Sequence, residues 1–220
     1  MNLDSLSIPA CTERFLRLAD EIARVQTDAV REWHTTGSEE GPLEEPVVVR
    51  GDLVSHVLAQ HCFNFRLWHV EDIARRTDVG ADVIADCKRR IDRLNQRRND
   101  AMEQVDACLI ELLGPCLPAN AAARINTESP GMAIDRLSIL SLKIWHMAEQ
   151  LARTDVGPEH LASCGKKLDV LKQQRDALLG ALKELFADYL RGEKRPNMYF
   201  QCKMYNDPSL NPQLYGASRS

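Results

Sequence analysis

The strongest constraint on the fold of this chain is an internal repeat. Residues 67–80 read LWHVEDIARRTDVG, and residues 144–157 read IWHMAEQLARTDVG, 77 positions later. When the residues from Trp68 to Arg98 are each aligned with the residue 77 positions further on, 13 of the 31 pairs are identical and no gap is needed. A match of this length indicates that one supersecondary unit occurs twice.

Each repeat unit is predicted to be an antiparallel pair of helices. Apolar residues recur at three- and four-residue steps on both sides of the Thr-Asp-Val-Gly sequence, as on one face of a helix. Because this connection is short, consecutive helices must run in opposite directions. Two such hairpins bury their apolar faces most simply against each other. The sequence therefore predicts an all-α fold, a helical bundle built from two duplicated antiparallel hairpins.

Helix start and stop signals give the predicted boundaries within a single domain, 1–220. An N-terminal helix covers residues 9–34 and ends before an acidic stretch that contains Gly and Pro. The first hairpin covers 52–113 with Asp52 as N-cap, and the second covers 130–191 with Ser129 as N-cap. Residues 195–220 are rich in Tyr, Asn and Pro and are predicted to form an irregular tail docked on the bundle.

Composition argues against several classes of function. The chain is 44% hydrophobic and 27% charged with a net charge of −4, so it lacks the basic excess that nucleic acids attract. It contains no run of 18 apolar residues and no cationic leader followed by an apolar segment, which predicts a cytoplasmic protein with no membrane partner. Seven cysteines without C-x-x-C spacing suggest neither a disulfide framework nor a zinc ribbon.

Arginine interrupts the apolar stripe of the second helix in each hairpin. Arg98 and Arg175 occupy equivalent positions of the two repeats, among residues that are otherwise mostly apolar. Burying an unpaired charge costs several kcal/mol. Each arginine is therefore expected to meet a carboxylate or an anionic ligand, and a structural ion pair or an arginine that reaches the surface remains the alternative.

Histidine interrupts the apolar stripe of the first helix in each hairpin. His69 is followed three residues later by Asp72, and His146 by Glu149. Side chains at i and i+3 project side by side, the spacing by which helical bundles present ligands to metal ions. A core histidine that bonds to a neighbouring carboxylate is the alternative. His34 also follows a tryptophan, as both repeat histidines do, but it lies outside the repeat and is interpreted as a coincidence.

With these residues in view, the chain resembles a family of bacterial proteins known only as domain of unknown function 4254. The resemblance rests on four stretches of sequence. They are NFRLWHVED (64–72), RIDRLNQRRNDAMEQVD (90–106), NTESPGMAIDRLSILSLKIWHM (126–147) and KMYNDPSLNPQLY (203–215). It covers most of the chain from about residue 50 and implies a helical, bacterial, cytosolic protein. The resemblance implies no settled activity.

Two hypotheses for the function remain open. In the first, the chain is an enzyme that binds a small polar or anionic molecule in a pocket of the bundle, with the tail as a lid. Histidine and carboxylate side chains supply proton transfer, and cationic and tail residues bind the ligand. The candidate catalytic residues are His69, Asp72, Asp135 and His146, and the candidate ligand-binding residues are Arg98, Arg136, Arg175, Lys203, Tyr205 and Asp207.

A metal-dependent form of this enzyme would hold a divalent metal ion with His69, Asp72, His146 and Glu149. The sequence specifies no other cofactor. In the second hypothesis the chain is a non-catalytic interaction or scaffold module, a homodimer, whose polar core residues fix the register of the helices.

Overall fold

The computed structural model confirms the all-α bundle. It describes residues 7–36, 42, 44–202, 204 and 207–217, and of 215–217 only the backbone. These residues contain no strand. The helices, in chain order, are α1 (Ile8–Thr36), α2 (Leu53–Ala74), α3 (Ala81–Leu113), α4 (Pro130–Leu151), α5 (Pro158–Leu190) and α6 (Pro212–Ala217), with one turn of 3-10 helix at Gly114–Cys116.

The two hairpins have the same dimensions. Helices α2 and α4 each have 22 residues, and α3 and α5 each have 33. Each boundary in the second hairpin lies 77 positions after its counterpart in the first. The turns agree as well: Arg76 bonds Asp78, and Arg153 bonds Asp155, through Nε–Oδ1 contacts of 3.0 Å and Nη2–Oδ2 contacts of 2.7 Å in both. The sequence repeat is therefore also a repeat of backbone structure.

Local sequence explains where both short helices begin. The backbone N–H of Val54 donates to Oδ1 of Asp52, and the N–H of Met132 donates to Oγ of Ser129, as the predicted N-caps require. The start of α4 is also anchored on α3. The N–H of Gly131 donates to the buried Oδ1 of Asp106, and a Cβ atom at residue 131 would lie 2.8 Å from the Asp106 carboxyl carbon. Glycine is required there because the two helices approach so closely.

Helices α2 and α4 meet at equivalent faces. Nδ1 of His61 lies 2.6 Å from Oγ of Ser138, and the ring of His69 contacts the ring of His146. The members of each pair are 77 positions apart, so each residue contacts its own counterpart in the other repeat. The two hairpins therefore contact each other through equivalent residues at the symmetric contact between α2 and α4.

Helix α1 breaks this symmetry because it packs against α5, α4 and α2. Its first half contributes Phe15 and Ile22 to a large apolar cluster that also contains Phe186 and Tyr189. Its second half contributes Val30 and Trp33 to a smaller cluster, together with Cys62, Phe65 and Leu142. The hydrophobic effect thus fixes α1 along its whole length, and the end of α1 comes to lie beside α2 and α4.

A polar network built around Asp135 lies in the interior of the bundle. The buried carboxylate of Asp135 accepts hydrogen bonds from Arg98 of α3 and from Gln60 and Asn64 of α2. The Nδ2 atom of Asn64 also lies 2.8 Å from Oγ of Ser138, which connects the network to His61. A buried charge is tolerated when it is paired and fully hydrogen-bonded. The expected carboxylate partner is therefore present for Arg98.

Two details differ from the sequence-based expectations. Arg175 meets no carboxylate within the part of the chain that the structure describes: its Nη2 atom donates to the carbonyl of Ala23 and to Oγ1 of Thr27, both at 2.7 Å. Helix α1, which lies outside the repeat, supplies both acceptors. Cys11 is joined to Cys116 by a disulfide, although the cysteine spacing gave no sign of a cross-link. The two cysteines lie 105 residues apart in sequence and meet because α1 packs beside the end of α3.

The first part of the tail docks on the bundle. The hydroxyl of Tyr199 donates to the carbonyl of Asn126, and the N–H of Gln201 donates to Oε1 of Glu103. A helix rises by about 1.5 Å per residue. Glu103 therefore lies about 33 Å along α3 from the connection between α2 and α3, whereas His69 lies only about 8 Å along α2 from the same connection. These tail contacts are therefore far from His69.

No described helix is long and apolar enough to cross a membrane.

Replacing Arg98 tests how much the Asp135 network contributes to stability. Arg98→Met keeps the length of the side chain but leaves the buried carboxylate without its cationic partner, so we expect the free energy of unfolding to fall by about 3 kcal/mol. The control is Arg136→Met, which breaks an exposed ion pair with Glu128 and should cost less than about 1 kcal/mol. Urea unfolding followed by circular dichroism measures both. Equal losses in the two variants would contradict this interpretation.

Burial of His61 should make stability depend on pH. Burial lowers the pKa of His61 from 6.5 to about 3, so the unfolded chain takes up this proton first as the pH falls. Its contribution to the free energy of unfolding should decrease between pH 6.5 and about 3, by up to about 1.4 kcal/mol per pH unit. The free energy of unfolding of wild type minus that of His61→Gln should therefore be constant from pH 7 to 8. Below pH 6.5 this difference should fall, because only wild type loses the contribution of a neutral, buried His61. A difference that stays constant to pH 4 would contradict this prediction.

Candidate functional site

Three histidines from three helices meet at one end of the bundle. His34 comes from α1, His69 from α2 and His146 from α4, and all three are partly buried. One ring nitrogen of each lies within 4.8 Å of those of the other two. Their ring centroids are between 4.9 and 5.5 Å apart. We call these three residues the histidine cluster.

Helix packing explains the position of the histidine cluster. His69 and His146 are equivalent residues at the contact between α2 and α4, each five residues before the end of its helix. His34 lies in the last turn of α1, which reaches the same end of the bundle. The negative end of the helix dipole therefore lies close to His34 and favours a positive charge there.

The hydrogen bonds of two rings fix which nitrogen carries the proton. Nδ1 of His34 lies 2.7 Å from the carbonyl oxygen of Val30, and Nδ1 of His146 lies 2.7 Å from Oε2 of Glu149. A carbonyl and a carboxylate can only accept, so Nδ1 must be the donor in both rings. In the neutral rings Nε2 then carries a lone pair. Both Nε2 atoms are buried and make no hydrogen bond to any residue that the structure describes, so each can donate its electron pair to a ligand.

Aromatic side chains hold the rings of the histidine cluster in place. Trp68 stacks on His146 with centroids 4.6 Å apart and planes 6° apart, and Trp145 stacks on His34 at 4.9 Å and 21°. Nε1 of Trp145 also donates to Oε1 of Glu149 at 3.1 Å. Glu149 therefore bonds to a tryptophan and a histidine at once, and it orients His146 from the side opposite to Nε2.

The electrostatic surroundings favour an uncharged His146. Burial lowers its pKa, and His34 acts in the same direction, while the carboxylates of Glu149 and Asp72 oppose the shift. At neutral pH the ring is therefore in the form that can donate an electron pair from Nε2. Neutral imidazole is the form in which histidine binds metal ions.

The histidine cluster has the residue composition of a transition-metal site, with ring nitrogens that lie within 4.8 Å of one another. Zinc binds histidine nitrogens at about 2.0–2.1 Å, which places the nitrogens of a tetrahedral site about 3.3 Å apart. The ring nitrogens of the cluster are at most 4.8 Å apart. Each nitrogen–nitrogen distance would therefore have to shorten by at most about 1.5 Å to reach the spacing of a zinc site. Hydrogen bonds from Nδ1 to a carbonyl or carboxylate are the usual outer contacts of metal-binding histidine. Three protein ligands leave at least one coordination position for water or a substrate.

Two clefts adjoin the histidine cluster, and Trp68 lines both. The larger has a volume of about 710 Å³ and lies between α4 and α5, with His146 in its wall and with Lys143, Lys166 and Lys167 among its lining residues. The smaller has a volume of about 370 Å³ and is lined by residues of α2, α3 and α4, Asp72 and Arg98 among them. A volume of 300–1,000 Å³ is typical of sites for small molecules.

The structure brings some of the sequence-predicted site residues together and separates others. His69 and His146 lie side by side in the histidine cluster, and Glu149 contacts the Nδ1 atom of His146 rather than the centre of the cluster. Asp72 is exposed at the smaller cleft. Asp135 and Arg98 form the buried network and bond to each other.

The remaining predicted ligand-binding residues lie elsewhere. Arg136 pairs with Glu128, Arg175 bonds to α1, and the carboxylate of Asp207 accepts hydrogen bonds from the N–H and hydroxyl of Ser209. Lys203 and Tyr205 are outside the described residues.

His34 is the residue that sequence analysis missed. The Trp-His dipeptide at 33–34 is the same as those at 68–69 and 145–146, and these are the three tryptophans of the chain. This shared dipeptide was the available signal, and it was interpreted as a coincidence because residues 33–34 lie outside the repeat.

Comparison with known families assigns the chain. The model of a family described as "Protein of unknown function (DUF4254)" matches residues 54–198, which is more than half of the chain. The chain belongs to the DUF4254 family. The DUF4254 match includes His69 and His146, whereas His34 precedes it. Neither the curated proteins nor the solved structures gave a match to the chain.

The contact between Glu149 and His146 can be tested by titration of this DUF4254 protein. Glu149→Gln keeps an acceptor for Nδ1 but removes the negative charge that opposes the effect of burial. We therefore expect the pKa of His146 to be lower in the variant than in wild type, measured by NMR titration of the ring protons in metal-free protein. The control is Glu184→Gln, an exposed carboxylate on α5, which should change nothing. A pKa of His146 that is unchanged or higher in Glu149→Gln would contradict the contact between Glu149 and His146.

Proposed function

We propose that this protein is a metal-dependent enzyme that acts on a small polar or anionic molecule. The histidine cluster supports the proposal: three imidazoles from three helices converge, and the buried Nε2 atoms of His34 and His146 have no hydrogen-bond partner among the described residues. Buried polar atoms without a partner are costly and rare in folded proteins. A divalent transition metal ion would accept these electron pairs.

The residues around the histidine cluster have separate roles in this proposal. His34, His69 and His146 bind the metal, and Zn²⁺ or Co²⁺ suits three imidazole ligands in tetrahedral geometry. A metal bound in this way supplies Lewis-acid chemistry or a water molecule of lowered pKa. Glu149 holds His146 in its metal-binding tautomer, and Trp68 and Trp145 fix the ring planes. The clefts beside Trp68 admit the substrate.

We infer that a duplicated hairpin gave rise to the site. The two hairpins agree in helix length, turn conformation and residue identity at a constant offset of 77 positions. Each contributes one histidine at the contact between α2 and α4, and α1 contributes a third that lies outside the repeat. A cytoplasmic location in a bacterium remains a prediction from the sequence and its resemblance to the family.

A second candidate function is a non-catalytic module in which the metal ion is structural. The burial of the free ring nitrogens supports this candidate, because structural metal sites are closed to solvent. In this alternative the metal fastens the end of α1 to the two hairpins, and the protein serves as a homodimeric scaffold.

Metal titration tests the proposal. Protein freed of affinity tag and chelator is expected to bind one Zn²⁺ or Co²⁺ per chain, measured by competition with a chromophoric chelator. His34→Gln, His69→Gln and His146→Gln should each weaken binding at least tenfold while unfolding remains cooperative. The control is His56→Gln, a histidine of α2 outside the cluster, which should bind as wild type does. Wild-type affinity in all three cluster variants would refute the metal site.

The Co²⁺ form distinguishes the two candidates. If a coordination position is open, as the enzyme requires, added azide should change the visible absorption of Co²⁺. An absorption spectrum that azide does not alter would favour the structural metal and the scaffold module.

A further inference from the structure

The first hairpin binds a carboxylate of its own chain. Glu45, in the connection between α1 and α2, accepts hydrogen bonds from Arg66 of α2 and Arg97 of α3, each with Nη1 2.7 Å from Oε1. The Arg97 hydrogen bond is the main cause that lowers the pKa of Glu45. Arg66 also bonds to the carbonyl oxygen of Pro42. The acidic connection therefore lies across the groove between α2 and α3.

The second hairpin has an equivalent groove without such a segment. The residues 77 positions after Arg66 and Arg97 are Lys143 and Gln174, and both line the larger cleft between α4 and α5. Within the described part of the chain, no carboxylate pairs with Lys143, Lys166 or Lys167. The approximate symmetry of the hairpins thus places an open cationic groove where the first hairpin holds Glu45.

The lining of this cleft defines the chemistry of its ligand. Lys143, Lys166 and Lys167 supply positive charge, and none of the described residues that line the cleft is acidic. Trp68, Met147, Val170 and Leu171 supply apolar surface. A ligand that matches both the lysines and the apolar surface has an anionic group and an apolar body. The lysines attract the anionic group. The apolar body is stabilised because it and the apolar lining are removed from water on binding.

We propose that the cleft between α4 and α5 binds a small amphipathic carboxylate, with its carboxylate beside Lys143 and Gln174 and its apolar part on Trp68 and Leu171. The inference rests on the proposed function in one respect: His146 forms part of the same wall, so the bound acid is the substrate of the proposed metal centre. Recognition of the acid requires only the residues of the cleft.

Three matched probes test the class of ligand. They are 4-phenylbutanoate, 4-phenylbutan-1-ol and 4-phenylbutylamine, which share an apolar body and differ only in the terminal group. In calorimetric titrations at constant ionic strength, the acid is expected to bind at least tenfold more tightly than the alcohol, and the amine more weakly than either. An alcohol that binds as tightly as the acid would overturn the proposal.

Variants of the groove test the position of the ligand. Lys143→Gln should weaken binding of 4-phenylbutanoate at least fivefold, and Gln174→Arg, which restores the counterpart of Arg97, should tighten it at least fivefold. The control is Lys172→Gln, which removes the same charge from an exposed position of α5 outside the cleft. Equal weakening in Lys143→Gln and Lys172→Gln, or no tightening in Gln174→Arg, would overturn the assignment. Sedimentation that shows a dimer in wild type and a monomer in Lys143→Glu would also overturn the assignment, because a second copy of the chain would then cover the cleft.

The His34→Gln variant separates this inference from the proposed function. His34 does not line the cleft, so the variant should bind 4-phenylbutanoate within threefold of wild type although it has lost a metal ligand. A wild-type protein that binds metal but not the acid refutes the carboxylate site and leaves the metal centre intact. A protein that binds the acid but no metal refutes the proposed enzyme and supports the carboxylate site.

Discussion

The register of the bundle depends on one buried carboxylate. Asp135 of α4 accepts hydrogen bonds from Gln60 and Asn64 of α2 and from Arg98 of α3, so a single charged group connects three helices. A shift of α2 along α4 would break several of these bonds and leave a buried charge unsatisfied, whereas apolar contacts alone tolerate some sliding. The network thereby also sets the height at which His69 faces His146.

Contacts within the protein position two rings of the histidine cluster. Stacked tryptophans, a backbone carbonyl and the Glu149 carboxylate fix the planes and tautomers of His34 and His146. The rings are therefore ordered by the folding of the protein rather than by a metal ion, and metal binding would require only small movements. Preorganisation of this kind raises affinity because less conformational freedom is lost on binding.

The two hairpins have the same backbone but different surfaces. In the first, Arg66 and Arg97 hold Glu45 of the preceding connection, and in the second Lys143 and Gln174 face an open cleft. Helix α1 adds a further asymmetry, since His34 completes the cluster from one side only. Equivalent grooves of the two hairpins therefore differ in chemistry, because one is occupied by a carboxylate of the chain itself and the other is open.

The sequence by itself determined the long helices, the N-caps Asp52 and Ser129 and the two hairpins, and it identified His69 and His146 as equivalent residues. These features follow from local periodicity and from an offset of 77 positions that is visible in the amino-acid sequence. Only the tertiary structure decided the position of His34, the acceptors of Arg175 on α1, and the contact between Cys11 and Cys116. All three depend on where α1 packs. That position has no counterpart in the repeat, because it results from the summed burial of apolar side chains from several distant segments rather than from any short pattern.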